Sequence, residues 1–313
     1  MNSIIYDMHE FDKKENLLTN ALLILAIDRE ERSQYALNEL NVTGQVCQNA
    51  IIFDYDDCTD SIIGASTSIP NNAQNITVLK GLPKSQTTFV EFLKKCDTLK
   101  TAKKIVVDIS SILTPYLFLL MKCIYMWNKN ACIYAINTIP FDYTFPQFPF
   151  LSYKSYYGNL KMEEIIGFSS MSGIQKLNDL FIFAGFEGAL SLKVVEDIEY
   201  RHLYFVNALP SYYQKYKDIS IISNHKLITS KESEMLYTPA INPFEAYNLL
   251  DKHIVDNKQN VSIAPLCTKP VSLGICLYAL QHDNVRIVFP FSDKYNTARS
   301  HDVYKTYVYK LCL

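Results

Sequence analysis

Glycine is scarce in this sequence: 9 of 313 residues, against 22 tyrosines and 17 phenylalanines. Neither G-x-x-x-x-G-K-[ST] nor G-x-G-x-x-G occurs, which excludes the glycine-cradled phosphate loops of ordinary mononucleotide and dinucleotide enzymes. The eight cysteines stand singly, at 47, 58, 96, 123, 132, 267, 276 and 312. No C-x-x-C pair and no Cys/His group at zinc spacing exists, so no metal site is expected. Long apolar runs are missing as well. "ALLILAI" and "YLFLLMKCIYMW" fall short of the roughly 20 residues a membrane span needs. The first 20 residues lack the basic-then-apolar layout of a signal peptide. A net charge of −2 gives no global attraction to nucleic acid or to an anionic membrane. These absences together predict a cytoplasmic, soluble protein with reduced thiols, no cofactor and no membrane partner.

What is present is apolar and periodic. Continuous apolar runs occur at 21–27, 49–55, 104–110, 131–137, 179–185, 201–208, 260–266 and 284–291. Runs without polar alternation suit strands covered on both faces, hence a parallel sheet flanked by helices. Helix-like stretches lie between them, at 30–40, 87–97, 113–127, 187–197, 243–256 and 270–281. Pro115 and Pro270 stand near the starts of two of these, a favoured first-turn position. The alternation predicts an α/β fold.

The two halves match in order. "DREERS" (28–33) follows the first run, and "GFEGAL" (185–190) follows a later one, with Glu30 and Glu187 157 residues apart. "SSILTP" (110–115) corresponds to "PLCTKP" (265–270) at an offset of 155. "FDYT" (141–144) corresponds to "DKYNT" (293–297), with Tyr143 and Tyr295 at an offset of 152. The expectation is two tandem Rossmann-like halves with mainly parallel sheets, related by an internal pseudo-two-fold duplication. Their expected bounds are 1–145 and 177–313, joined by an aromatic linker over 146–176 packed on the surface or over a cleft between the halves.

Ligands of open α/β sheets bind beyond the carboxyl ends of the strands. Candidate residues there are Glu30, Arg32, Ser110 and Ser111 in the first half, then Glu187, Thr268 and Lys269 in the second. A helix N-terminus attracts anions, and Lys269 adds a full charge beside the Thr268 hydroxyl. Capping by Thr268, with Lys269 solvated, is the plainer alternative. Gly185 would permit a turn closed to other residues. Glu187 would be either an ordinary first-turn acid or a carboxylate that holds a sugar or base edge. Arg32 suits bidentate contact with phosphate. A catalytic Cys267 is not expected, because no histidine occupies an equivalent strand end. "DYDDCTD" (54–60) lacks the glycine of a calcium loop and reads as a solvated acidic loop. Six lysines over 84–104 read as an exposed helix face, not a nucleic-acid groove.

The "VVDIS" strand, "FAGFEG" and "IAPLCTKPVSLG" followed by "FPFSDKYNT" resemble uncharacterised bacterial proteins of similar length found near anti-phage defence genes. Members carry Arg shortly after the GFE glutamate; Ala189 and Leu190 stand there in this chain. More remotely, the paired halves resemble CARF and SAVED sensor domains, which bind cyclic oligonucleotides at a two-fold or pseudo-two-fold cleft. The resemblance implies a component of a bacterial antiviral defence system. Its expected role is a non-catalytic module that binds a nucleotide-like small molecule or a co-encoded defence protein. The alternatives are a nucleoside or nucleotide hydrolase using Glu30 or Glu187, and a scaffold subunit that docks a partner through its aromatic segment.

Overall fold

A computed structural model describes residues 5–12, 16–42, 47, 49–55, 75–144, 156–169, 178–254, 260–295, 299–311 and 313. The chain divides into two units, one made of Met1–Thr144 with Thr297–Leu313, the other of Phe145–Asn296.

In the first unit the apolar runs become strands buried on both faces. β1 is Ile5–Asp7, β2 Leu22–Ile27, β3 Asn49–Asp54, β4 Asn75–Lys80, β5 Lys104–Asp108 and β6 Cys132–Tyr143. Every residue of β2 is buried. The sheet runs β4-β3-β2-β5-β6, all parallel. Within this parallel set the chain runs from β2 in the middle outward to β4, then returns to the other side of β2 through β5; β1 lies at the far edge, antiparallel to β13 (Ser300–Leu311). This order is Rossmann-like and places a topological switch point between β2 and β5. Helices Arg32–Val42, Gln86–Lys94 and Thr114–Trp127 lie between strands. Pro115 sits in the first turn of the last of these, as expected. Ser85 caps Gln86–Lys94, accepting from the Thr88 N–H at 3.1 Å.

The second unit repeats the order. β7 is Tyr156–Glu164, β8 Asn178–Phe183, β9 Tyr200–Ala208, β10 Glu234–Thr238, β11 Val261–Pro265 and β12 Val285–Tyr295. Its sheet runs β10-β9-β8-β11-β12 in parallel, with β7 antiparallel at the edge beside β12. The switch point falls between β8 and β11. Helices Gly188–Asp197, Gln214–Ser223, Pro243–His253 and Lys269–Gln281 connect these strands. Pro270 stands in the first turn of the last helix, which is buried along most of its length.

The C-terminus departs from the expected boundary at 177–313. β13, Ser300–Leu311, leaves the second unit and pairs antiparallel with β6, from Ser300↔Tyr143 to Leu311↔Ile133. Residues 297–313 therefore belong with the first unit. The physical reason is the side-chain pattern. β13 is exposed or half-buried from Ser300 to Lys305 and buried only at Thr306, Val308, Tyr309 and Leu311, unlike the continuously buried runs of the doubly covered parallel interior. Part of the expected 146–176 linker is likewise sheet, since β7 pairs with β12. Residues 146–155 and 170–176 of that linker, and most of the acidic loop 54–60, lie outside the described residues.

Candidate functional site

All four loops expected at strand ends are there. Two meet at the switch point of the first unit and two at that of the second.

In the first unit, the loop after β2 carries Asp28, Glu30 and Arg32, and the loop after β5 carries Ser110 and Ser111. All five are buried. Glu30 is the hub, with a side chain 0% exposed. Its Oε2 accepts from Arg32 Nε at 2.7 Å and lies 2.6 Å from Arg32 Nη2. Its Oε1 accepts from the backbone N–H of Arg299 at 3.0 Å, and Arg299 Nη2 approaches Oε2 at 3.5 Å. The Arg299 carbonyl in turn accepts from Thr144 N–H at 2.8 Å. Within the first unit Thr144 is thus tied to Arg299, and Arg299 to Glu30. Arg32 also lies 5.8 Å over the Tyr143 ring.

The serines serve carboxylates. Ser111 Oγ donates to Asp28 Oδ1 at 3.3 Å, alongside the Glu30 N–H at 3.0 Å. Ser110 donates to Asp108 through both its N–H and its hydroxyl, and the hydroxyl oxygen accepts from Thr138 N–H at 2.8 Å. Asp28 Oδ2 is buried and accepts no hydrogen bond among the described residues; Arg299 Nη2 stands 3.9 Å away. The sequence marks Glu30, Arg32, Ser110 and Ser111 but not Asp28, Asp108 and Arg299. The two aspartates carry a usable signal, as acids closing apolar strands. Arg299 has no local signal, being 269 residues from Glu30.

Protonation follows from this burial. Desolvation works to raise the Glu30 carboxyl, but Arg32 and Arg299 outweigh it and hold the group below its ordinary value. Burial and then the Glu30 charge push Asp28 up to about 7, against the opposing arginines. Burial pushes Asp108 up to about 6, against its Ser110 hydrogen bonds. In the unfolded chain an aspartate titrates near pH 4, so below that pH both states carry the proton. Above it, folding must keep a proton the solvent would remove, or bury a charge. The stability these two groups contribute is therefore full below about pH 4 and is lost as pH rises through about 6 and 7. Each carboxyl gives a slope of at most about 1.4 kcal/mol per pH unit. Glu30, with its lowered value, contributes a constant amount over about pH 5–8. Urea unfolding of the intact chain is expected to show lower stability at about pH 8 than at about pH 5, with a flatter profile in Asp28→Asn. A wild-type profile that rises between these pH values would sink the assignment.

The second switch point is more open and carries fewer carboxylates. Gly185, Phe186, Glu187, Leu266, Cys267, Thr268 and Lys269 are all half-buried. The loops after β8 and β11 touch: Leu266 N–H donates to Phe183 O at 2.9 Å, and a Cβ on Gly185 would lie 2.2 Å from Leu266 O. Gly185 is required by this approach of two backbones, not by the special turn the sequence suggests. Its carbonyl accepts from Ser220 Oγ at 3.1 Å and Asn224 Nδ2 at 3.0 Å. Glu187 occupies the position before helix Gly188–Asp197 without capping it through its side chain. Thr268 holds the same position before helix Lys269–Gln281, and its side chain makes no cap either. Its hydroxyl donates to Ala240 O at 2.7 Å, tying this loop to the one after β10. Simple capping by Thr268 is thereby excluded. Burial pushes the Cys267 thiol up to about 12, which leaves almost no thiolate at neutral pH.

Among the described residues no group of three His, Cys, Asp or Glu side chains is placed to hold a metal, and no helix is long and apolar enough to cross a membrane.

No protein-family model and no curated protein matches the chain. Solved structures similar to it include a type III CRISPR defence DNA nuclease activated by cyclic oligoadenylate, at 7% identity and a TM-score of 0.49. That alignment covers 85% of this chain and 64% of the nuclease, so the chain spans less than two thirds of its length. A protein of unknown function from Pseudomonas aeruginosa aligns at 8% identity over 85% of this chain and 91% of its own, with a TM-score of 0.25. A Pseudomonas aeruginosa protein assigned to the universal stress proteins aligns at 8% identity over 86% and 92%, with a TM-score of 0.26. At such scores the fold class stands on the strand order alone.

Proposed function

We infer that this chain is a non-catalytic sensor module of a bacterial defence system, and that it binds a nucleotide-like anion at the switch point of its second unit. The observation that carries the reading is the asymmetry of two equivalent places. Both sheets share one strand order and both bring polar loops to the switch point, which supports descent from a common α/β unit. In the first unit the arginines are already paired with Glu30, and Asp28 and Asp108 stand beside them, a setting hostile to phosphate. In the second, the half-buried Lys269 opens helix Lys269–Gln281, whose first N–H groups favour negative charge. Thr268, held on Ala240, fixes that helix start. Glu187, in the loop that touches this one, is the partner for hydroxyl or base N–H groups. Glu30, Arg32, Ser110 and Ser111 then act as an internal framework.

One feature weighs against Glu30 as the acid–base residue of a hydrolase: Arg32 and Arg299 hold its carboxyl below the ordinary value, which makes it a poor proton acceptor. Glu187 is the residue on which the hydrolase alternative then rests. The CARF-like resemblance of the sequence sets the ligands tested first.

The test is calorimetric titration with cyclic and linear oligoadenylates, mononucleotides and inorganic tripolyphosphate. One ligand per chain is expected. Lys269→Ala removes a charge-assisted contact and should weaken binding about ten- to a hundredfold. Absence of binding across the panel, or a Lys269→Ala isotherm identical to wild type, rejects the reading. Release of adenine, phosphate or shortened oligonucleotide during incubation would favour the hydrolase instead.

A further inference from the structure

The loops after β8 and β9 carry a cluster of aromatic rings. Phe186 leaves the loop after β8, and Tyr213 ends the loop after β9, where it stands immediately before helix Gln214–Ser223. Both residues are half-buried. Between them Tyr216 is buried, 3% exposed, and braces both rings. Its centroid lies 5.3 Å from Phe186 in a tilted contact and 5.4 Å from Tyr213 in a perpendicular one. Lys215 Nζ lies 5.3 Å over the Tyr216 ring, which adds positive charge to the same corner.

This corner is rigid. Ser220 and Asn224 fasten the helix Gln214–Ser223 to the Gly185 carbonyl, and the backbone of Ser223 abuts Gly188 so closely that a Cβ there would lie 1.8 Å from its carbonyl oxygen. The Tyr216 N–H donates to Tyr213 O at 2.9 Å, and Ser211 Oγ donates to the same oxygen at 2.6 Å, so the turn that presents Tyr213 is tied twice. Rings held from beneath by a third ring and by a fixed loop lose little side-chain freedom when something stacks on them.

Position decides what that is. Gly185, one residue before Phe186, touches Leu266, three residues before Lys269. The loop that carries Phe186 is thus in backbone contact with the loop that carries Thr268, Lys269 and the helix start, while Tyr213 joins Phe186 through Tyr216. A ligand that reaches both loops must have a flat π face at one end and an anion at the other. We propose that Phe186 and Tyr213, braced by Tyr216, form a nucleobase-stacking subsite that selects base-bearing nucleotides over simple polyphosphates. The subsite rests on the reading of the second switch point as an anion site and adds to it the source of base preference. Stacking is sequence-tolerant, since every base offers a π face, so purine and pyrimidine nucleotides bind alike unless Glu187 or a backbone group reads their edges.

The experiment uses the intact chain and a nucleotide carrying 2-aminopurine, whose emission is quenched on stacking, with inorganic tripolyphosphate as the base-free probe. Wild type is expected to quench the probe and to bind the nucleotide about tenfold or more tighter than tripolyphosphate. Phe186→Leu keeps apolar volume but removes the ring; it should weaken nucleotide binding about tenfold, relieve the quenching and leave tripolyphosphate affinity unchanged. Tyr213→Leu should do the same to a similar degree. The wild-type comparison needs no variant, so a variant that fails to fold does not remove the test. Equal affinity for the two probes, or unquenched 2-aminopurine in the bound state, overturns the subsite while leaving the anion site standing. Binding of neither probe overturns both.

Discussion

Replacing Glu30 by glutamine is expected to lower the stability of the chain by about 3–5 kcal/mol, the range for breaking a buried ion pair from one side. The side chain is 0% exposed and meets two guanidinium groups, Arg32 at 2.6 Å and Arg299 at 3.4 Å. A glutamine in its place would keep the shape and lose the charge. Two buried cations would then face Asp28 and Asp108, whose own charges burial disfavours. The consequence is more than local. The Arg299 N–H bonded to Glu30 anchors the entry to β13, and β13 pairs with β6 over most of its length. Weakening this anchor should loosen an edge of the seven-stranded sheet. Arg299→Met is the informative companion, because it replaces a buried charge by an apolar chain of similar reach. If the pair acts as a unit, the double variant Glu30→Gln/Arg299→Met should cost less than the two single changes added together. Equilibrium urea unfolding of the four proteins measures this. A Glu30→Gln protein within about 1 kcal/mol of wild type would show that the cluster is not what holds this corner.

The second large effect is a reversal of sign. Alanine in the middle of a helix is intrinsically better than glycine by about 1 kcal/mol. Gly274 lies within helix Lys269–Gln281, so propensity alone predicts that Gly274→Ala stabilises. Packing predicts the opposite. A Cβ at this position would lie 1.9 Å from Pro243 O and 3.0 Å from Ala246 Cβ, where helix Pro243–His253 crosses. The nearest obstacle is backbone at the first turn of a helix capped by Asn242, which accepts from Phe244 N–H at 3.0 Å. It cannot swing aside as a side chain would. The expected outcome is a loss of about 1–3 kcal/mol or more from forced separation of the helices. Gly188→Ala meets Ser223 O at 1.8 Å and should behave in the same way. Thermal unfolding compared with a Gly81→Ala control separates steric cost from backbone strain, since Gly81 has a φ of 72° and is destabilised by an alanine for a different reason. A Gly274→Ala protein more stable than wild type would mean that the two helices lie farther apart.

Much of the architecture is readable because it depends on local composition. "LLILAI", "AIIFD", "KIVVD", "DLFIF" and "VSIAP" have no polar alternation, and a strand with no polar face must be covered on both. That predicts parallel sheets, and the loops at their carboxyl ends follow from geometry. Strands with a different pattern give no such signal. β4, "NITVLK", is exposed at nearly every position on an outer edge, and β10, "EMLYT", is buried only at Thr238. β13 is exposed or half-buried in its first half and buried only towards its end, and nothing in "SHDVYKTYVYKL" says which sheet it will join. Gly185 illustrates a subtler limit. Its presence signals a constraint, but the residue that imposes it, Leu266, stands far along the chain after β11.

By itself the sequence determined the α/β class, the strands that form both sheet interiors, the helix starts at Pro115 and Pro270, and the residues offered at the strand ends. These are properties of short windows, where burial and backbone preference act on neighbours in the chain. Tertiary structure alone decided that Glu30 is spent on Arg299 while Lys269 stands half-buried at a helix start, that β13 returns to the first sheet, and that Phe186 and Tyr213 share one buried brace. Each of those depends on groups tens to hundreds of residues apart. Their meeting is set by how whole strands and helices pack, and no local preference encodes it.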